Sequence, residues 1–142
     1  MAVRFMRTKK NIHVGYTPGE KYLAKIIYGE TVSLEKLSEF VAEASAMTEG
    51  DIYSALVQSQ NVMIRLLTDG VPVDMGRFGR IYPKFRAKAM PTYEEVTADT
   101  ITHFTVRFLP SVYFRKKLKD AKFEFQEVKT KSYAPKPTPP TP

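Results

Sequence analysis

The chain has 142 residues, enough for one domain with a short appendage. Its 43% hydrophobic and 26% charged residues predict a globular protein. It contains no apolar run long enough to cross a bilayer and no signal-peptide pattern, so we expect a cytoplasmic protein without a membrane partner. Zero cysteines exclude disulfides and thiolate metal sites, and two histidines offer little for a metal centre or a catalytic triad. We therefore predict no cofactor and no enzymatic activity.

Positive charge is concentrated towards the two ends of the chain. Residues 1–30 carry six basic and two acidic side chains, for a net charge of +4. Residues 31–80 carry four and seven, for −3, and residues 81–142 carry twelve and six, for +6. The total of +7 favours a polyanionic partner such as nucleic acid.

The first 30 residues are predicted to form a β extension. Apolar and polar side chains alternate over residues 3–5 and 22–28, which is the period of a half-buried strand. Residues 9–11 and 17–20 have the composition of turns.

Two helices are predicted next. Ser33 can cap the first, an amphipathic helix that ends near Ser45. Thr48 begins the second, which spans residues 49–68 and stops at Asp69-Gly70. Apolar residues cover more of its circumference than contact with one core requires, so we expect burial on two sides. A second copy of the chain is the simplest source of the second side, which predicts a homodimer.

The C-terminal half is predicted to return to strands. Two glycines flank Phe78, which indicates a bend where the backbone packs closely. Residues 100–108 form an alternating strand, and Ser111 caps a short basic helix that ends near Ala121. The remaining strands are predicted at 71–75, 81–88 and 123–125. Residues 126–142 are predicted to be a disordered tail, because the last nine residues include five prolines and no large apolar side chain.

The order of these elements resembles the HU and integration host factor family of bacterial DNA-binding proteins over residues 33–122. The resemblance is carried by residues 41–45, the turn through Thr48 into the long helix, and the segments 76–80, 108–111 and 117–121. It implies an α+β, HU-like (IHF-like) DNA-binding fold for residues 31–125. It also implies a helical homodimer body with a β-sheet, and protruding β-arms that grip the minor groove and bend or compact double-stranded DNA in the nucleoid.

Basic residues of the strands and the last helix are the candidate DNA contacts. Lys84, Arg86 and Lys88 recur at period two and therefore share one face of the predicted strand. The resemblance places Lys84 and Arg86 at arm-base positions of the family. It also implies that Phe78 is buried at the junction between the helical body and the sheet. The full candidate set is Arg77, Arg80, Lys84, Arg86, Lys88, Pro91, Arg107, Arg115, Lys116, Lys117 and Lys119.

The arm tip departs from the family pattern. The family usually carries Arg-Asn-Pro there, whereas Pro91 lacks that context and is followed by Glu94, Glu95 and Asp99. The second interpretation is an HU-like structural or protein-interaction module with weak or no DNA binding, which would use the N-terminal strands or the Pro-rich tail to contact a protein partner. The basic residues are also typical of purely structural roles. On the strand they would form a charged edge, and at the end of the short helix they would complement the helix dipole.

Overall fold

The computed structural model describes residues 1–12, 15 and 19–128, so the predicted tail lies outside the described residues from residue 129 on. The predicted mixture of α and β structure is confirmed. The strands are β1 (Val3–Ile12), β2 (Gly19–Ile27), β3 (Val73–Asp74), β4 (Gly79–Ala87), β5 (Ile101–Pro110) and β6 (Phe123–Phe125). The helices are α1 (Leu34–Glu43), α2 (Glu49–Thr68) and α3 (Val112–Lys119).

The chain divides into two compact units. The terminal unit contains residues 1–30 together with the chain from Ala121 on, and the central unit contains residues 31–120. Strand β6 belongs to the terminal unit because it pairs in parallel with β1. The compact central unit thus ends at Asp120, whereas the HU-like domain predicted from the sequence extends over residues 31–125.

The terminal unit is a three-stranded sheet in the order β2-β1-β6. Strands β1 and β2 pair antiparallel from Arg4↔Ile27 to Ile12↔Gly19. The turn predicted at residues 9–11 is therefore wrong, since these residues pair with β2 within a continuous strand. One sheet face is aromatic, with the rings of Phe5 and Phe125 5.9 Å apart.

The helices of the central unit begin at the predicted capping residues. The Ser33 hydroxyl accepts the Lys36 N–H at 3.2 Å, and the Thr48 hydroxyl accepts the Asp51 N–H at 3.2 Å. The Thr48 hydroxyl also donates to the Asp51 carboxylate at 2.6 Å, so cap and third residue bind each other. The predicted bounds of α2 are confirmed, and Gly70, at φ +83°, follows its end.

The sheet of the central unit, in the order β3-β4-β5, depends on close packing at Gly79. The carbonyl of Gly79 accepts the Met75 N–H at 2.8 Å and closes the turn between β3 and β4. Gly79 has a φ of +145°, and a Cβ atom there would overlap the Leu109 carbonyl oxygen and lie 2.9 Å from the Phe108 ring. Only glycine fits this backbone and this space.

The buried core of a single chain is small. Among the described apolar residues, only Ile52 and Leu67 of α2 are buried, at 5% and 8% exposure. Ile64 of the same helix is 63% exposed, and Phe104 of β5 is 55% exposed. Within one chain α2 is thus covered on one side, and the second side that the sequence predicts to be buried is open.

Candidate nucleic-acid interface

Strands β4 and β5 form a two-faced ribbon. Their register places Ile81 opposite Phe108 and Pro83 opposite Val106 on an apolar face. The opposite face is polar and basic, because Tyr82 pairs with Arg107 and Lys84 pairs with Thr105. Arg80, Lys84, Arg86 and Arg107 are the charged residues of the two strands, which contain no aspartate or glutamate.

Three of these four cations have no acidic partner among the described residues. Arg80 lies 3.8 Å from the carboxylate of Asp74 on the neighbouring strand β3, with both side chains more than half exposed. No described carboxylate lies within ion-pair distance of Lys84, Arg86 or Arg107. The ribbon can therefore present at least three unneutralised cations to an anionic ligand.

Strand β5 contains a bulge opposite the stretch of β4 between Lys84 and Arg86. The register slips between Lys84↔Thr105 and Arg86↔Thr102, so β5 has one more residue than β4 over this stretch. His103 has a φ of +52° in this stretch, so the clean alternation predicted for β5 is interrupted there. Lys84 and Arg86 are two residues apart within strand β4, so the alternation of a strand places them on one face.

Two predicted contacts lie beyond the paired strands. Lys88 follows the last residue of β4, so the strand predicted over 81–88 is one residue too long. The Lys88 N–H nevertheless donates to the Thr100 carbonyl at 2.9 Å. Pro91 lies in the irregular segment 88–97 together with exposed Glu94 and Glu95. Paired strands end at Ala87↔Ile101, and an arm protruding beyond that point stays a prediction.

Helix α3 is fixed to the β3–β4 turn by Ser111. The Ser111 hydroxyl accepts the Phe114 N–H at 3.1 Å and hydrogen bonds with the Arg77 carbonyl oxygen. The Ser111 N–H donates to the Phe78 carbonyl at 3.3 Å. The N-terminal end of α3 is therefore anchored to the turn that precedes the ribbon, and Lys116, Lys117 and Lys119 lie in the last turn of the same helix.

A tyrosine that the sequence analysis missed organises the cations at this junction. The Arg77 guanidinium lies 4.9 Å from the centre of the Tyr113 ring, and the Lys117 ammonium lies 5.6 Å from it. Such cation–π contacts hold two charged groups near one aromatic face. Arg115, in contrast, donates through Nε to the Pro110 carbonyl at 3.2 Å. Helical spacing of Tyr113 and Lys117 is the signal that could have indicated part of this cluster.

Phe78 is not buried within the chain, contrary to the prediction. Its ring packs 4.9 Å from Phe108 and 5.3 Å from Phe114, yet 53% of the residue is exposed. Gly76 and Gly79, on either side of Phe78, allow the turn but have no side chains that could bury the Phe78 ring. Together with Arg77, Tyr113 and Lys117, Phe78 and Phe114 line an open cleft of about 380 Å³.

In the part of the chain that the structure describes, no three histidine, aspartate or glutamate side chains gather into a potential metal site. Within the same residues, no helix is long and apolar enough to span a membrane.

The fold and the basic ribbon define an HU-like protein. Residues 1–125 match the HU-HIG family, an HU domain fused to wHTH, Ig, or glycine-rich motif, and the chain belongs to this family. The HU-like part of the sequence-based interpretation is thereby confirmed.

A solved structure shares this fold. It is the crystal structure of a "Putative bacterial DNA binding protein" from Bacteroides vulgatus ATCC 8482, similar to this chain with a TM-score of 0.64 and 17% sequence identity. The similarity covers 92% of this chain and 51% of that one, so this chain spans about half the length of its structural relative. No curated protein matches the sequence significantly.

Proposed function

We propose that the protein binds double-stranded DNA with little sequence specificity and bends or compacts it, as an architectural component of the nucleoid. Membership of an HU family supports this proposal, and so does the name of the structural relative. The observation that carries it is the segregation of charge on the β4–β5 ribbon, where cations line one face and apolar side chains the other.

This segregation suits a phosphate backbone. Lys84, Arg86 and Arg107 are exposed, share a paired ribbon and lack acidic partners among the described residues. Each phosphate that a cation neutralises releases counterions, which supplies affinity without reading the base sequence.

The basic end of α3 extends the proposed contact surface. Tyr113 holds Arg77 and Lys117 at one ring, and Lys116 and Lys119 lie on the same short helix. The exposed aromatic ring limits the freedom of both cations, which lowers the conformational entropy lost when they meet phosphates.

The proposed DNA-binding form is a homodimer. The central unit has about 90 residues, but its buried apolar residues are only Ile52 and Leu67. So small a core cannot supply the hydrophobic stabilisation that a domain of this size requires. A groove of about 280 Å³ between α2 and β5, lined by Ile64, Leu67, Phe104 and Val106, is open to a partner. A second copy would cover α2 on its open side and bring two ribbons to one DNA molecule.

The test compares two charge deletions. Lys84→Ala/Arg86→Ala removes two ribbon cations, whereas Lys36→Ala removes a cation from α1, where Lys36 is paired with Glu39 at 3.0 Å. We expect the double variant to bind a fluorescent random duplex more weakly and the Lys36 variant to bind it like the wild type. End-to-end energy transfer in a doubly labelled duplex then measures bending. Equally tight binding by all three proteins would contradict the ribbon as the contact surface, whereas no binding by the wild type would contradict the proposal and favour a protein-interaction module.

A further inference from the structure

A second basic surface lies in the terminal unit, on the β1–β2 pair. The register of this hairpin places Lys10 directly opposite Lys21, and Lys25 follows on the same face of β2. All three residues are exposed. We call Lys10, Lys21 and Lys25 the hairpin basic face.

Like charges that face each other across two antiparallel strands destabilise the pair. The opposite face of the same hairpin avoids this cost, because Lys9 forms an ion pair with Glu20 at 2.7 Å. On the hairpin basic face, strands β1 and β2 supply no carboxylate, and within the described residues none lies in ion-pair distance of Lys10 or Lys21. Strands β1 and β2 thus place an acid beside Lys9 on one face and none beside Lys10 and Lys21 on the other. Glu124 of β6 lies on the same side of the sheet as these two lysines, but opposite Arg4 near the other end of β1.

Protection of a sheet edge does not account for this arrangement. Lysine on the edge strand β2 discourages edge-to-edge aggregation, but one lysine opposite a glutamate would protect the edge equally and would stabilise the hairpin. A pair of opposed lysines is instead suited to an external anion that lies between them. The ends of the face, Lys21 and Lys25, are about 13 Å apart along β2, so the anion it fits is extended.

We propose that the hairpin basic face is a second contact surface for the phosphate backbone of duplex DNA. This inference rests on the proposed function, since it adds a surface to the same DNA complex. An extended, regularly charged backbone matches a row of cations that a single phosphate would not occupy. The terminal unit then acts as a DNA-binding element of its own, outside the HU-like central unit.

The decisive variant is Lys21→Glu, because the two roles of Lys21 predict opposite effects. A glutamate opposite Lys10 replaces a repulsive cross-strand pair by an attractive one, so the thermal midpoint stays equal or rises. The same change removes a phosphate contact, so affinity for a fluorescent random duplex falls. We expect the slope of log K against log[salt] to become shallower by about 0.9 per protomer.

Lys9→Ala is the matched control. It deletes one cation at the residue next to Lys10, but on the opposite face, and it should leave the affinity and the salt slope close to those of the wild type. A Lys10→Ala/Lys21→Ala double variant tests the same phosphate contact without adding negative charge.

The outcomes separate the two proposals. If the wild type does not bind duplex DNA, both fail. If the wild type binds and the Lys21→Glu and double variants bind as tightly as Lys9→Ala, only the hairpin inference is overturned. The inference would also be overturned if these variants bind duplex DNA as the wild type does but no longer bind vesicles of anionic lipid. That result would assign the face to a membrane surface.

Discussion

Strand β4 can pack closely against β5 at Gly79 because this residue has a hydrogen atom in place of a Cβ atom. The φ of +145° is strained for any residue with a Cβ, and that Cβ would also overlap the Leu109 carbonyl. The adjacent Phe78 ring has no comparable constraint, since it packs on one side and is open on the other. Neighbouring residues in one motif therefore contribute to stability through different mechanisms.

Gly79→Ala should lower the free energy of unfolding by at least about 1–3 kcal/mol from backbone strain alone, with a further loss from the overlap. Urea denaturation measures the change. Gly50→Ala is the control, because nothing lies within 4 Å of a Cβ at that helical position, and it should leave stability equal or higher. Similar midpoints for the two variants would contradict the close packing at Gly79.

Phe78→Ala should destabilise the protein by about 2 kcal/mol, roughly half the cost of truncating a fully buried phenylalanine. Phe85→Ala is matched in exposure, since both residues are 53% exposed, but Phe85 has no ring contact among the described aromatic residues. Its truncation should cost less by about 0.5–1.5 kcal/mol, the contribution of aromatic pairing. Equal losses in thermal denaturation would show that the Phe78 ring contacts add no stability.

Among the elements, the irregular segment 88–97 carries two carboxylates that would oppose the proposed DNA binding. Glu94 and Glu95 are exposed there, between strands whose polar face is basic. The affinity for DNA therefore depends on these carboxylates as well as on the cations of the ribbon.

Glu94→Gln/Glu95→Gln should strengthen binding to a random duplex, because two repulsive charges are removed from the segment that joins the ribbon strands. Fluorescence anisotropy at low salt measures the gain, and the stability of the protein should not change. Thr92→Ala serves as a neutral control in the same segment. Weaker binding by the double glutamine variant would mean that these carboxylates make favourable contacts.

The elements also show where sequence reasoning succeeds and fails. Helix α2 was predicted to the residue, because Thr48, Asp51 and Gly70 are local signals for its ends. The pairing that makes residues 9–11 a strand instead of the predicted turn, and the bulge at His103, both depend on other strands, which local composition does not encode. For the candidate site, alternation predicted the common face of Lys84 and Arg86. It could not show that Arg77 and Lys117 meet at Tyr113.

For the whole molecule, the small single-chain core predicts that folding and association are coupled. The thermal midpoint should rise with protein concentration, since the dimer is favoured by mass action. Ile64→Lys places a charge on the open side of α2 and should abolish association, whereas Lys36→Ala should not. A folded monomer of about 16 kDa in sedimentation at micromolar concentration would contradict the proposed dimer.

The most direct measurement of the central claim is the salt dependence of duplex binding by the wild-type protein, using two unrelated sequences. If Lys84, Arg86 and Arg107 of two protomers each neutralise one phosphate, log K should fall with log[salt] with a slope of about −5 or steeper. The slope and affinity should be nearly the same for both sequences. A slope near zero, or no binding at roughly 50 mM salt, where backbone contacts are strong, would contradict the claim that this protein holds DNA through its basic β-ribbon.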